Sequence, residues 1–258
     1  MELKTIQTTR VPVRYYEGGR GTPLVFLHGA GGLDLDLDFL NALAQRFHVY
    51  APLVPGYGDS EECSEIRDML DFALHTWDVI DLLGVKNPIL VGFSMGGMIA
   101  GEMAAIAPHD VSRLALIAPA GLWLDDHPIA DIFSLLPFEL PKLLFYDEAA
   151  GAKALTANTD TSDPGFLQAF LVRNARQLGA AGKILFPIPD RGLSTRLYRI
   201  KAKTLLIWGE SDKLIPPVYA RAFQSGISGT ETVMIPEAGH LVTFEKPAAV
   251  IDALARLQ

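Results

Sequence analysis

The chain has 258 residues and a mass of 28.0 kDa, which at about 150 residues per domain means one domain, or one carrying a sizeable insertion. Hydrophobic residues make up 49% and charged residues 20%, proportions that exclude a disordered or fibrous chain. The net charge of −8 with no basic cluster excludes binding to phosphate backbones or anionic lipid as the main task, so no nucleic-acid partner is expected. The single cysteine, Cys63, closes no internal disulfide and has no second thiol beside it for a metal site. The N-terminus Met1-Glu2-Leu3-Lys4-Thr5-Ile6-Gln7 lacks the apolar run of a secretory signal, and no stretch reaches about 18 uninterrupted apolar residues. A cytoplasmic protein with no membrane span is the expectation.

The opening alternates in short apolar runs broken by Glu17-Gly18-Gly19-Arg20-Gly21, the pattern of an antiparallel hairpin or edge pair. Compact runs follow at Leu24–Leu27, Val49–Ala51, Ile89–Val91, Leu114–Ile117, Leu205–Trp208 and Val233–Ile235; lacking polar alternation, they read as strands covered on both faces. Between two of them, Asp68 to Leu83 sets Met69, Ala73, Trp77, Ile80 and Leu83 on one helical stripe and Asp71, His75 and Asp78 on another, a core-facing helix with a wet back. Strands alternating with helices give an α/β fold with a mostly parallel central sheet flanked by helices. The alternation stops over 121–199, where Ile129, Ile132, Phe133 and Leu136, then Phe166, Leu167, Phe170 and Leu171, recur at helical spacing. A helical insertion over the carboxyl edge of the sheet, where open α/β folds bind ligands, is predicted there. The core is then 1–120 with 200–258.

Gly92-Phe93-Ser94-Met95-Gly96 follows one strand run and precedes a helix of small residues, Gly97 to Ala107. In that context G-x-S-x-G describes a turn tight enough to project a serine oxygen above the sheet, with glycines where side chains would collide; a serine that merely caps the helix fits the bare motif equally well. A serine nucleophile needs a base, itself oriented by an acid. Among the six histidines, His240 stands out in the loop after the last strand run. His75 reads as solvated and charge-paired, His48 opens a strand, His109 ends a helix, and His127 lies in the insertion, where it could face a pocket. Asp212 follows another strand run, with Glu210 its nearest competitor and Asp125 or Asp126 further ones. The order serine, acid, histidine matches one hydrolase architecture. His28-Gly29-Ala30-Gly31-Gly32, after the Leu24–Leu27 run, can bring backbone N–H groups close to a developing oxyanion; it lacks the lysine and glycine spacing of a phosphate-binding loop.

With these motifs, Pro55-Gly56-Tyr57-Gly58-Asp59-Ser60 and Gly209-Glu210-Ser211-Asp212 with Pro216, the sequence resembles the α/β-hydrolase fold superfamily. The resemblance implies Ser94 as nucleophile, His240 as base, Asp212 as orienting acid, the N–H groups of Ala30 and Met95 as oxyanion hole, and 121–199 as a helical cap. It also implies a hydrolase that needs no cofactor or metal ion. Serine at the elbow separates the chain from dehalogenases and epoxide hydrolases, which place an aspartate there. The elbow is similar to those of perhydrolase-type esterases and 3-oxoadipate enol-lactonases, whereas carbon–carbon hydrolases of ring-cleavage products usually carry asparagine where Phe93 stands.

The expected activity is cleavage of a small or medium carboxylic ester or lactone through an acyl-enzyme. The alternatives are carbon–carbon bond hydrolysis and a slow-turnover, ligand-sensing module. Trp123, Ile132, Phe133, Leu136 and Phe138 are the candidate substrate-pocket residues. Asp34, Asp36 and Asp38 alternate like the start of a calcium loop, but Phe39 and Gln45 stand where its glycine and glutamate belong. The acidic run instead leads into a helix with Phe39, Leu40 and Leu43 inward.

Overall fold

The computed structural model describes residues 1–58, 60–156, 163–186, 188 and 191–258. Asp59 of the Pro55–Ser60 motif and positions 157–162, 187, 189 and 190 of the expected insertion lie outside the described residues. Eight strands form one sheet: β1 (Glu2–Gln7), β2 (Pro12–Gly18), β3 (Pro23–Leu27), β4 (His48–Pro52), β5 (Ile89–Phe93), β6 (Arg113–Ile117), β7 (Lys203–Gly209) and β8 (Glu231–Ile235), in the order β1-β2-β4-β3-β5-β6-β7-β8. β1 and β2 pair antiparallel with each other, β2 pairs antiparallel with β4, and all later pairs are parallel. The opening is therefore an edge pair, but its turn is at Thr8–Val11, where the Thr8 hydroxyl bonds the backbone of Val11. The Glu17–Gly21 stretch instead links β2 to β3.

The unalternated apolar runs are all strands, and those of β3, β5, β6 and β7 are buried on both faces, whereas the Val233–Ile235 run lies in the edge strand β8 and is only half-buried at Val233 and Met234. Before the sixth strand come α1 (Leu37–Leu43), α2 (Met69–Leu82) and α3 (Met95–Ile106); near the C-terminus come α7 (Val218–Gly226), α8 (Val242–Glu245) and α9 (Pro247–Leu254). α1 packs against α8 and α9, α2 against α3, and α3 against β3, β5 and β6. α3 is buried on nearly every side, which is why its sequence is small and apolar all round. Phe26, Phe39, Phe47, Trp208 and Phe223 are fully buried between these layers, each contributing about 2 to 3 kcal/mol by leaving water.

α2 corrects one expectation. Asp68 caps it, accepting from the Asp71 N–H, but His75 is buried rather than solvated. Asp71 takes Arg10 and Arg67 as partners, while His75 falls on the inward stripe with Phe72, Thr76 and Val79. Burial lowers its pKa and keeps the ring neutral.

Between β6 and β7 the regular elements of the described residues are all helical and begin only at Ile132: 3-10 turns Ile132–Ser134 and Pro137–Glu139, then α4 (Pro141–Leu144), α5 (Glu148–Leu155) and α6 (Pro164–Leu185), then 3-10 turns Leu193–Thr195 and Leu197–Arg199. The helix expected through Ile129–Leu136 does not form. Pro137 forces the residue before it out of the helical region, and Leu136 sits at φ −76°, ψ 151°. No helix among the described residues is long and apolar enough to cross a membrane.

This segment is tied to α3 by an ion pair. Glu102, almost wholly buried, receives both Nε and Nη2 of Arg196, and Arg199 Nε donates to the Ala105 carbonyl at 2.7 Å. Arg196→Ala leaves a buried carboxylate without its cation. Urea denaturation should show a loss of about 3 kcal/mol, the low end for a broken buried pair because Arg196 is partly exposed, and a Glu102→Met/Arg196→Met double variant should lose much less.

Candidate active site

The sheet register sets the site. β5 ends with Phe93 opposite Ile117 of β6 and Gly92 opposite Leu27 of β3, so the next residue, Ser94, emerges at the carboxyl edge beside the loop after β3. Ser94 adopts φ 51°, ψ −113°, a conformation that costs an L-residue about 1 to 3 kcal/mol and persists only when its surroundings enforce it. Its N–H donates to the Ile117 carbonyl (2.9 Å), and its carbonyl accepts from Met98 N–H (3.1 Å) and Ala120 N–H (3.0 Å). The two flanking glycines are steric necessities: a Cβ at Gly92 would lie 2.3 Å from the Gly96 oxygen, and one at Gly96 would lie 2.1 Å from the Leu27 oxygen.

Three side chains meet here. His240 Nε2 is 2.9 Å from Ser94 Oγ, and His240 Nδ1 is 2.8 Å from Asp212 Oδ2. All three residues are buried. The second Asp212 oxygen accepts from Leu214 N–H (2.9 Å) and Ile215 N–H (2.8 Å), and Trp208 Nε1 donates to the Ile215 carbonyl, so the carboxylate cannot swing. With Nδ1–H donating to the Asp212 carboxyl, Nε2 is left as an acceptor facing the serine hydroxyl. A Cβ on Gly209 would come within 2.2 Å of the Gly239 oxygen; this close approach of the two loops brings residues 212 and 240 together. The competitors lie elsewhere: Glu210, Asp125 and Asp126 are exposed, and Asp125 accepts from the Trp123 indole. His127 is exposed and absent from the cavity wall.

Two peptide N–H groups are aimed by their own carbonyls. In a trans peptide the C=O and N–H point in opposite directions, so fixing the Ser94 carbonyl also fixes the Met95 N–H, a first-turn donor that α3 leaves without an intrahelical partner. The Gly29 carbonyl is held by Gly32 N–H (3.1 Å) and by His28 Nδ1 (2.7 Å), which fixes the Ala30 N–H. His28 is wholly buried, its Nε2 accepts from Val54 N–H (3.1 Å), and burial brings its pKa down to about 4, partly offset by the Gly29 bond. The ring is therefore neutral with its proton on Nδ1. Tyr57 donates to the Ala30 carbonyl (3.1 Å) and lies 3.6 Å from the Met95 sulfur, joining the two donor loops.

A cavity of about 260 Å³ opens over Ser94 and His240. Ile132 and Phe133 line it, along with Leu140, Leu144, Leu155 and Phe170 from the segment between β6 and β7. Trp123, Leu136 and Phe138 do not. Without a continuous helix, the 3-10 turns carry Leu136 and Phe138 outward to 57% and 67% exposure, and Trp123 turns to Asp125. One end of the cavity is polar: Arg173 lies 3.8 Å and Gln177 3.5 Å from Asp34. Among the described residues, no group of three His, Cys, Asp or Glu side chains is set to hold a metal ion.

Sequence reasoning missed Asp36. It is buried behind the His240 loop, where the Thr243 hydroxyl donates to it at 2.8 Å. Burial pushes its carboxyl up to about 7 despite that bond. In the sequence it is one of three alternating aspartates, and nothing there distinguishes it.

A model of the alpha/beta hydrolase family matches residues 24–253. The chain is 27% identical to the 2-hydroxy-6-oxo-6-phenylhexa-2,4-dienoate hydrolase of Comamonas testosteroni over 91% of this chain and 86% of that one. It is 26% identical to an uncharacterized protein of Mycobacterium tuberculosis, over 99% of this chain and 80% of that one. Among solved structures, a bacterial membrane phospholipase A superposes with a TM-score of 0.81 at 25% identity, covering 99% of this chain and 85% of that one. The enol-lactonase of Burkholderia xenovorans superposes with a TM-score of 0.76 at 18% identity, covering 98% and 99%.

Two outcomes follow from this geometry. Gly96→Ala should cost about 4 kcal/mol or more in chemical denaturation, because backbone must move, whereas Gly84→Ala, with open space around its Cβ at φ +67°, should cost only about 1 kcal/mol. Asp36 has a folded pKa of about 7 against an ordinary 3.8, so its burial costs nothing at pH values below the unfolded pKa and its full amount above about 7. Thermal melts of Asp36→Asn should therefore match the parent near pH 4 and exceed it by several degrees near pH 8; a constant difference across that range would refute the assignment.

Proposed function

The chain belongs to the alpha/beta hydrolase family, and from that premise we propose that it is a serine hydrolase cleaving a small or medium carboxylic ester or lactone through an acyl-enzyme. The observation that carries this reading is the unbroken relay from Asp212 through His240 to Ser94, at 2.8 and 2.9 Å. His240 Nε2 takes the hydroxyl proton as Ser94 Oγ attacks the carbonyl carbon. The fixed amides of Met95 and Ala30 stabilise the oxyanion. His240 then returns the proton to the leaving oxygen, and as base it activates the water that releases the acid. Residues 121–199 act as the cap, whose apolar wall receives the acyl or ring portion of the substrate.

Carbon–carbon bond hydrolysis is the second reading, favoured by the likeness to the Comamonas testosteroni enzyme. Phe93 stands against it as the residue before the serine: its ring lies 5.3 Å from the His240 ring and offers no amide to a substrate oxygen.

Ser94→Ala should remove several orders of magnitude from turnover of p-nitrophenyl esters, up to about 10⁶ in kcat, and abolish fluorophosphonate labelling. Undiminished esterase activity in that variant would exclude the nucleophile. Product analysis with a lactone beside a vinylogous 1,5-diketone acid separates the two readings.

A further inference from the structure

Glu245 stands five residues beyond His240 and has no part in the relay. One of its oxygens accepts from Tyr146 N–H (2.8 Å) and Asp147 N–H (3.2 Å), and the other accepts from Gly239 N–H (2.6 Å). On the other side of His240, Leu241 N–H donates to the Leu144 carbonyl at 3.0 Å. Both neighbours of the imidazole-bearing residue are thus fastened to one four-residue stretch, 144–147, which runs from the last residue of α4 to the start of α5. The joint is tight: a Cβ on Gly239 would come 2.8 Å from the Leu144 oxygen and the Tyr146 nitrogen. Phe145 is buried within it, edge-on to Phe244 at 5.8 Å. The same stretch reaches the cavity, where Leu144 and, further along α5, Ala154 and Leu155 form the wall.

Asp212 fixes the direction of the His240 ring, but the distance from Nε2 to Ser94 Oγ depends also on where the backbone of residue 240 lies. That backbone is held by Glu245 and by Leu144. We propose that Glu245 is a positioning residue that couples seating of the cavity wall to alignment of His240, so that a substrate group packed against Leu144, Ala154 and Leu155 raises turnover itself as well as affinity. The coupling rests on the serine-hydrolase reading, since it acts through His240 as base.

The test compares parent, Glu245→Ala and Glu245→Gln with p-nitrophenyl acetate and p-nitrophenyl octanoate, each preparation normalised by fluorophosphonate titration of Ser94. In the parent, kcat should rise from acetate to octanoate. Glu245→Ala should lower kcat for octanoate by about ten- to a hundredfold, the scale of an ångström-level misplacement, with KM changing less than about threefold, and should flatten the dependence on chain length. Glu245→Gln keeps an acceptor for the Tyr146 and Asp147 amides but turns an NH₂ toward Gly239, so its kcat should fall between the two; it also carries the test if the alanine variant does not fold. An unchanged kcat, or a loss confined to KM, overturns the coupling. A parent in which Ser94 takes no label overturns the serine-hydrolase reading and the coupling with it, whereas a labelled parent with unimpaired Glu245 variants removes the coupling alone.

Discussion

The backbone of Ser94 is the constraint on which the rest of the site depends. At φ 51° it occupies a region that an isolated L-residue avoids, and the sheet supplies what holds it there: the Ile117 carbonyl for its N–H, and the Met98 and Ala120 amides for its carbonyl. Those bonds exist only because β5 and β6 are paired with Phe93 opposite Ile117 and because no side chain intrudes at Gly92 or Gly96. Shifting that register would lose the strained turn, the projected hydroxyl and the aimed Met95 amide together. The strained backbone presents the hydroxyl oxygen at the carboxyl edge, 2.9 Å from His240 Nε2.

The polar groups around that oxygen are buried, and burial is affordable because nearly all are partnered. Asp212 has three N–H donors. His28 uses both ring nitrogens, and Tyr57 bridges the loops after β3 and β5. An unpartnered polar atom in such surroundings costs about 1 to 3 kcal/mol, so a network this complete is also rigid. Under the proposed function that rigidity serves oxyanion stabilisation, because donors already aimed before charge develops require no reorganisation when it does.

The strands and the elbow were legible in the sequence because each leaves a local mark. Ile89–Val91 and Leu205–Trp208 lack polar alternation since both faces are covered, and Gly92-x-Ser94-x-Gly96 keeps the only residues a collision-free turn permits. The cavity wall was legible only in part. Ile132 and Phe133 face inward, but the helical spacing that grouped them with Leu136 ignored what Pro137 does to its neighbour. His75 was misread for a related reason: the carboxylates three and four residues away suggested a wet face, but Asp71 is engaged by Arg10 and Arg67, and the inward stripe through Phe72 and Val79 decides where the imidazole goes. Glu245 and Asp36 leave no mark, because their partners are backbone amides and a hydroxyl brought close only by the tertiary fold.

This uneven legibility follows from a division within the molecule. The relay residues hang from the ends of β5, β7 and β8, whose positions are set by a continuous ladder and a core in which side chains interlock, so their geometry tolerates little change. Most of the cavity wall comes from the segment between β6 and β7, whose described residues add no strand to the sheet and are joined to the rest by pairs such as Arg196 with Glu102, Arg199 with the Ala105 carbonyl and Leu144 with Leu241. Under the proposed function, substrate choice falls to that wall, where an apolar surface of leucine and phenylalanine ends in the polar group formed by Asp34, Arg173 and Gln177.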